Sequence, residues 1–314
     1  MRQMGKCLTE KTERKFNMPG GIRDRKEGKH MVRIIADSTC DLSQDLLEKY
    51  NIRILPLHIL LGEEEYEDGK NISPEEIYQW SDEHGSTPRT SAASPESTLE
   101  LYKEVYTEGS ELICFSISGQ MSTTGNVMQL VAEEMGIADK VTVIDSENLS
   151  TGIGHLVLEA AIMAAEGKGR DEIVKRIEVL RPLVRASFVV DTLVYLHRGG
   201  RCSGLAAMLG TTLHLHPMIV VENGKMHSAK KYRGSLEKAL MAYAKDLEPA
   251  MRKAKRDRVF ITHSGCEREV VEMVREFLEG LGLFQEIVET RAGGVISSHC
   301  GPGTLGILFI EDAD

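Results

Sequence analysis

The sequence has little aromatic character and no excess of positive charge. A single tryptophan occurs among its 314 residues, and the formal net charge is −10. Nucleic acid binding depends on clustered lysine and arginine and on aromatic rings that stack on bases. Anionic membrane surfaces also attract positive charge. We therefore expect no nucleic acid partner and at most transient membrane contact.

The sequence also lacks long apolar runs and paired cysteines. No run approaches the ~20 residues that span a bilayer. The six cysteines are dispersed without CxxC spacing, so neither a zinc ribbon nor a disulfide framework is indicated. The histidines are too scattered to propose a metal site. We expect free thiols in a reducing cytoplasm, and no metal or cofactor.

The patterns that are present predict an α/β protein with two domains. Apolar and charged residues make up 41% and 27% of the chain, as in globular proteins, and the length allows two cores. Over residues 31–167, strand patterns alternate with helix patterns, which predicts a parallel sheet with flanking helices. Over residues 168–314, helices occur with strands and with a hairpin turn at Asn223-Gly224. This second part predicts an α+β domain with a mixed sheet.

The first 30 residues have a composition of their own. They hold nine lysines and arginines against four acidic residues, and they lack the apolar core of a secretory signal. For residues 1–30 we expect a basic, disordered extension without an assigned function. A translation start upstream of the native one at Met31 is the alternative.

The chain is organised around residues 112–126. An apolar run of strand length leads into a loop rich in serine, threonine and glycine, and an amphipathic helix pattern follows. This order places backbone N–H groups and the positive end of a helix at the carboxyl edge of a sheet. The segment therefore indicates an anchor for a carboxylate or a phosphate. An ordinary serine or threonine helix cap is the alternative.

Two further segments carry candidate polar groups. Residues 87–95 form a predicted loop in which Thr90 and Ser91 have no local capping role. Residues 198–201, Arg-Gly-Gly-Arg, predict an exposed cationic loop. Arg201 could serve docking or an incoming phosphate there, and a salt bridge at the rim is the alternative.

His299 is the most informative histidine, because it lies in a predicted glycine-rich loop and not on an apolar helix face. It is either a donor to an anion or a satisfied structural histidine. The glycines that follow it spell GxGxxG, but they precede a strand where a dinucleotide fold requires a helix. A catalytic triad of Ser122, His299 and Asp145 has no GxSxG elbow to support it.

Taken in order, the motifs of this chain resemble those of the DegV family, from residue 31 to about residue 310. Several separated motifs in one order are far more specific than any one of them. They are Asp37-Ser38-Thr39, Pro56-Leu57, Tyr66-Glu67-Asp68-Gly69, Thr90-Ser91, residues 116–126, Val143-Ile144-Asp145-Ser146, Tyr195-Leu196, Gly199-Gly200-Arg201, Ile296 and His299-Cys300-Gly301-Pro302-Gly303.

The resemblance implies a two-domain fold with a ligand tunnel between the domains, in which an acyl chain is buried. It implies a protein that binds a long-chain fatty acid, similar to the binding subunit of bacterial fatty acid kinases. An ATP-dependent kinase subunit, acting as partner, would phosphorylate the bound carboxylate to an acyl phosphate. The binding subunit itself would have no catalytic machinery.

Carried over residue by residue, the resemblance assigns the fatty-acid carboxylate to Thr90, to Ser122 with its local backbone N–H, and to His299. The additional head-group contacts that it suggests are Ser91, Ser118 and Thr123. The segment 199–201 is expected to face the kinase partner. The chain departs from the family pattern where it reads Met121-Ser122-Thr123-Thr124, since the family favours Leu-Ser-Gly-Thr. It also reads Thr90-Ser91-Ala92-Ala93 where the family favours Thr-Ser-Gln-Pro.

Two other functions stay open at this point. A stand-alone hydrolase or phosphotransferase would use Ser122 and His299. A regulatory module would bind another small organic acid. Turnover by the protein alone would favour the first, and a co-purifying ligand of different mass would favour the second.

Overall fold

The computed structural model describes residues 31–203 and 215–312. The basic extension predicted for residues 1–30 lies outside them. Within these residues the chain forms sheets of four, three and seven strands. The first is parallel and the last is mixed, which confirms the predicted α/β class.

Strands and helices alternate over much of the chain. The strands are β1 (Met31–Asp37), β2 (Arg53–Leu55), β3 (His58–Leu61), β4 (Glu64–Glu67), β5 (Arg89–Ser91), β6 (Ser110–Ser116), β7 (Val141–Asp145), β8 (Val184–Val189), β9 (Cys202–Ser203), β10 (Leu215–Glu222), β11 (Lys225–Arg233), β12 (Arg258–His263), β13 (Glu286–Arg291) and β14 (Leu305–Ile310). The α-helices are α1 (Gln44–Lys49), α2 (Pro74–His84), α3 (Pro95–Val105), α4 (Thr124–Glu134), α5 (Thr151–Ala165), α6 (Arg170–Leu180), α7 (Val194–Gly199), α8 (Leu236–Met251), α9 (Arg268–Leu281) and α10 (Gly294–Cys300). Single 3-10 turns follow β1 and α6.

The parallel sheet has the strand order β2-β1-β6-β7. Its central strands are apolar and buried, because helices cover the sheet. All four strands run in the same direction, so Asp37, Ser116 and Asp145 lie at one edge, where the strands end. Open α/β sheets bind their ligands at this edge.

The three-stranded sheet is antiparallel and has the order β4-β3-β5. It corrects the prediction of a loop over residues 87–95, because Thr90 lies in β5 and pairs with Ile59 of β3. A strand of three residues is too short to show a periodic pattern in the sequence. Helix α2 begins at a capping box that Ser73 and Glu76 form.

The mixed sheet has the order β13-β12-β14-β8-β10-β11-β9. The predicted hairpin joins β10 to β11, and both turn residues, Asn223 and Gly224, have positive φ, at 50° and 75°. Two residues of positive φ match the type I′ turn that Asn-Gly favours. Helices α8 and α9 pack on this sheet around a second apolar core.

Helix α5 lies between the parallel and the mixed sheet. Ten of its fifteen residues are buried, so the face that it exposes to solvent is narrower than that of a typical surface helix. On one side it packs on β1. On the other side His155 packs edge-on against Phe260, and its Nε2 lies 3.0 Å from the carbonyl oxygen of Leu308. One apolar core therefore continues through both halves, and the domain boundary at residue 167 stays a prediction.

Two segments predicted as loops are short helices. Arg198 and Gly199 end the six-residue helix α7, and His299 lies in the last turn of the seven-residue helix α10. The two helices pack against each other. Helices this short depend on tertiary contacts more than on intrinsic propensity. The glycine-rich sequence around His299 therefore could not reveal α10.

Candidate functional site

A cavity of about 330 Å³ lies where the two halves of the chain meet. Its polar lining includes Thr90, Ser122 and His299, which the sequence predicted to act together. Its apolar lining includes Leu57, Ile117, Leu149, Met226, Val295 and Ile296. An apolar cavity with a few convergent polar groups is the usual form of a small-molecule site.

Thr90 and His299 are in direct contact, although strand β5 supplies one and helix α10 the other. The Oγ1 atom of Thr90 lies 2.8 Å from Nε2 of His299. Burial, with a smaller effect of the nearby positive charge of Arg201, lowers the pKa of His299 to about 4. The imidazole is therefore neutral near pH 7.

The loop from β6 to α4 has the predicted form of strand, hydroxyl loop and helix start. Ser122 Oγ lies 2.9 Å from Thr124 Oγ1 and accepts the Thr124 N–H at 3.3 Å. Its own N–H donates to the Ser118 carbonyl oxygen at 3.1 Å. Ser122 thus both supports the start of α4 and lines the cavity, and its hydroxyl, not its N–H, is the group that can meet a ligand.

The additional candidates separate into two groups. Ser91 and Thr123 are exposed residues that line the cavity. The Ser118 hydroxyl donates to the Gly224 carbonyl oxygen at 2.7 Å and accepts the Gln120 N–H at 3.2 Å. Ser118 is buried and holds the loop against the β10–β11 hairpin. We therefore leave Ser118 out of the proposed head-group contacts.

Arg201 lines the cavity next to His299, and Gly199 lies against the imidazole. The Arg201 guanidinium donates to the Gly199 carbonyl oxygen at 2.7 Å. A Cβ atom on Gly199 would collide with Nδ1 of His299. Gly200 has a φ of +68°, and a Cβ atom on it would point into open space. Gly199 thus allows the chain to lie directly against the His299 imidazole, and Gly200 allows the positive φ of the turn that follows α7.

A second, narrower cavity adjoins the first. The two share Leu149, Ile296 and Cys300, and the lining of the second also includes Phe188 and Leu308. Its presence extends the apolar space away from Thr90 and His299, toward the mixed sheet.

Three buried aspartates near this site have structural partners that the sequence did not reveal. Asp37 lies at the predicted strand end, but its carboxylate accepts the N–H groups of Thr39 and Ile117, at 3.1 and 2.7 Å. Burial raises the pKa of Asp37 to about 6. Asp41 and Asp68 accept backbone N–H groups at the start of α10, and burial raises the pKa of both. Asp68 belongs to the Tyr-Glu-Asp-Gly motif, and this membership is the only feature of the sequence that pointed to Asp68.

The described ranges, 31–203 and 215–312, offer neither a metal site nor a membrane span. They contain no group of three or more His, Cys, Asp or Glu side chains that could hold a metal ion. None of their helices combines the length and the apolar character that crossing a bilayer requires.

Comparison with known proteins places this chain in one family. A model of the DegV family, whose members are described as uncharacterised proteins, matches residues 31–312. A DegV domain-containing protein of Caldanaerobacter subterraneus subsp. tengcongensis is 31% identical over 285 residues, which cover 89% of this chain and 99% of that protein.

A solved DegV family protein from Thermus thermophilus, described by its fatty acid binding, is 34% identical with a TM-score of 0.83, and the match covers 90% of this chain and all of that one. A stearic-acid-binding protein from Eubacterium ventriosum is 26% identical with a TM-score of 0.77, over 90% and 98% of the two chains. The motifs, the fold and these relatives agree: the chain belongs to the DegV family.

Proposed function

We propose that this protein binds a long-chain fatty acid in the cavity and presents its carboxylate to a partner kinase subunit. The contact between Thr90 and His299, at 2.8 Å in the wall of an apolar cavity, carries the proposal. The fatty acid binding described for the relatives from Thermus thermophilus and Eubacterium ventriosum supports it.

The hydroxyl groups of Thr90 and Ser122 are the proposed donors to the carboxylate. A neutral imidazole carries one N–H, and we assign it to Nε2, because Nδ1 has no hydrogen-bond partner in the described part of the chain. Nε2–H then donates to Thr90 Oγ1, which leaves the Thr90 proton free for the ligand. Ser122 Oγ accepts the Thr124 N–H at 3.3 Å, and we assign the donor of its 2.9 Å contact with Thr124 Oγ1 to Thr124, so the Ser122 proton is also available. Hydrogen bonds to a charged acceptor contribute roughly 1.5–3 kcal/mol each.

The apolar lining is the proposed binding site of the acyl chain. Burial of each methylene group contributes about 0.8 kcal/mol, so a sixteen-carbon chain gains on the order of 10 kcal/mol before the costs of binding. From Thr90 and His299, the chain would pass Leu149 and Ile296 into the second cavity. Met226 in the wall can adapt to tails of different shape.

The same contacts disfavour a hydrolase that uses Ser122 and His299. A nucleophilic serine needs a base within hydrogen-bond reach. Here Nε2 of His299 contacts Thr90, and Ser122 Oγ contacts Thr124. A histidine whose pKa is lowered to about 4 is also a weak base.

The partner in this proposal is an ATP-dependent fatty acid kinase subunit, and the reaction yields an acyl phosphate in the cytoplasm. The catalytic groups belong to that subunit. Arg201 supports this view, because it places a positive charge at the cavity beside the candidate carboxylate site. Segment 199–201 is the proposed docking region.

Calorimetric titration of the delipidated protein tests the binding step. We expect one palmitate per chain, and much weaker binding of methyl palmitate, which has the same tail but no charge. Equal affinities for the two would contradict the proposed head-group site. Absence of binding by both would contradict fatty acid binding itself.

A further inference from the structure

The start of helix α10 is held by two buried carboxylates from distant parts of the chain. Asp41 Oδ1 accepts the Gly293 N–H at 2.8 Å, and Asp68 Oδ1 accepts the Gly294 N–H at 2.7 Å. The partners are 252 and 226 positions apart in sequence. These bonds therefore join the N-terminal half of the chain to the helix that carries His299.

Each of the two carboxylates is itself held in place. The Ser150 hydroxyl donates to Asp41 Oδ2 at 2.5 Å, and the Ser38 hydroxyl donates to Asp68 Oδ2 at 2.8 Å. Asp41 and Asp68 are only 6% and 2% exposed. Both oxygens of each carboxylate are thus occupied, which fixes the direction in which it accepts from α10.

Two glycines allow the helix to approach this closely. A Cβ atom on Gly293 would lie 3.2 Å from Asp41 Oδ1 and 3.3 Å from Asp68 Oδ1. A Cβ atom on Gly294 would lie 2.6 Å from Ile59 Cδ1. A larger residue at Gly294 would therefore collide with Ile59, and one at Gly293 would crowd both carboxylates.

The orientation of α10 decides the shape of the cavity. The helix supplies Val295, Ile296, His299 and Cys300 to the cavity wall. Its seven residues are too few to form a stable helix alone. Its position must therefore come from the groups that hold it.

Buried carboxylates are an expensive way to stabilise a fold, since apolar residues of similar volume are often as stable or more so. Their advantage is direction, because a hydrogen bond fixes an angle that apolar packing does not. We propose that Asp41 and Asp68 are positioning residues of the head-group site, which hold α10 so that His299 meets Thr90. This inference deepens the proposed function and rests on it.

Substitution of Asp68 tests the inference. Asp68→Ala removes the acceptor for the Gly294 N–H. We expect about tenfold weaker palmitate binding, because a displaced His299 no longer orients Thr90 and the hydrogen bond from Thr90 to the carboxylate is lost. Asp68→Asn keeps one acceptor oxygen and should restore much of the affinity. It also replaces the alanine variant if that variant does not fold.

Tyr243→Phe is the matched control for lost stability. Its buried hydroxyl accepts the Ile307 N–H at 2.9 Å and donates to the Ser187 carbonyl oxygen at 2.7 Å, in the second core. We expect lower stability and unchanged palmitate affinity. Equal loss of affinity in Tyr243→Phe and Asp68→Ala would overturn the positioning role.

A double-mutant cycle separates positioning from general damage. If Asp68 acts by bringing His299 to Thr90, the Asp68→Ala change should have little effect on affinity in a Thr90→Val background. Full additivity of the two changes would overturn the inference.

Amide hydrogen exchange distinguishes failure of the inference from failure of the proposed function. Without any ligand, Asp68→Ala should accelerate exchange in α10 and leave α8 and α9 as in the wild type. Unchanged exchange in α10 would refute the positioning role. If the exchange result appears and no fatty acid binds, the proposed function fails and the role of Asp68 in holding α10 stands.

Discussion

The Oγ1 atom of Thr90 lies 2.8 Å from Nε2 of His299, although 209 positions separate the two residues in the chain. The contact joins a strand of the small antiparallel sheet to a helix that leads into the mixed sheet. It also places a hydroxyl and an imidazole in the wall of one apolar cavity. The proposed recognition of a carboxylate depends on this pair.

Removal of the Thr90 hydroxyl should weaken binding of the carboxylate and have little effect on binding of the acyl tail. We expect Thr90→Val to bind palmitate about tenfold more weakly, because one hydrogen bond to a charged group is lost. Thr90→Ser keeps a hydroxyl and should bind nearly as well as the wild type. Titration calorimetry with both variants checks this, and equal affinities of Thr90→Val and wild type would contradict it.

The paired glycines of segment 199–201 should respond differently to alanine. Gly199→Ala places a Cβ against Nδ1 of His299, so we expect the imidazole to move and palmitate affinity to fall. Gly200→Ala meets open space and mainly adds the backbone strain of a positive φ, roughly 1–2 kcal/mol. Denaturant unfolding and palmitate titration of both variants measure the difference. If Gly200→Ala weakens binding as much as Gly199→Ala does, the contact with His299 does not explain Gly199.

Arg201 should matter for phosphorylation more than for binding. Arg201→Ala removes the positive charge next to the proposed head group, so we expect slower acyl phosphate formation with an ATP-dependent fatty acid kinase subunit. Palmitate affinity should change less, because Thr90 and Ser122 remain. Arg198→Ala is the control, since the Arg198 guanidinium instead donates to the Gly85 carbonyl oxygen. Equal kinetic effects of the two substitutions would argue against the role of Arg201.

The side chain of Cys300 should limit the acyl chain, because it lines both cavities. Cys300→Leu narrows the passage between them, and we expect weaker binding of stearate with little change for dodecanoate. Met226→Leu conserves volume and should leave the chain-length profile unchanged. A profile that is the same in all three proteins would show that the tail does not pass Cys300.

Asp37 should make stability depend on pH in an unusual direction. Burial raises its native pKa to about 6, above the ordinary 3.8, so the folded protein holds this proton more tightly than the unfolded chain. The contribution to stability is therefore present below pH 3.8 and is lost as the pH rises through about 6. Relative to Asp37→Asn, the wild type should lose roughly 2.5 kcal/mol of unfolding free energy between pH 4 and pH 8. Denaturant unfolding at both pH values tests this, and a difference that does not vary with pH would contradict it.

The parallel sheet, the β10–β11 hairpin and the start of α4 could be predicted from sequence, because each has a local pattern. Runs of apolar residues predict β6, Asn223-Gly224 predicts the turn, and hydroxyl residues predict the loop after Ser116. The strand that carries Thr90 and the helix that carries His299 could not be predicted this way. Their conformations depend on Ile59 and on the two carboxylates that hold α10, which are remote in sequence.

The candidate site shows the same division. The motifs predicted that Thr90, Ser122 and His299 would act together, and the structure brings all three to one cavity. The separate role of Ser118 was not predicted, because its partner is a carbonyl oxygen 106 positions away. Backbone acceptors have no signature in the sequence, so the use of a hydroxyl group within a site is the hardest property to predict.

Native mass spectrometry of the protein purified without added lipid tests the central claim most directly. We predict a bound species in addition to the bare chain, whose excess mass equals one long-chain fatty acid and which disappears on delipidation and returns with palmitate. A spectrum that shows only the bare chain, before and after incubation with palmitate or oleate, would contradict the proposal that this protein carries a fatty acid.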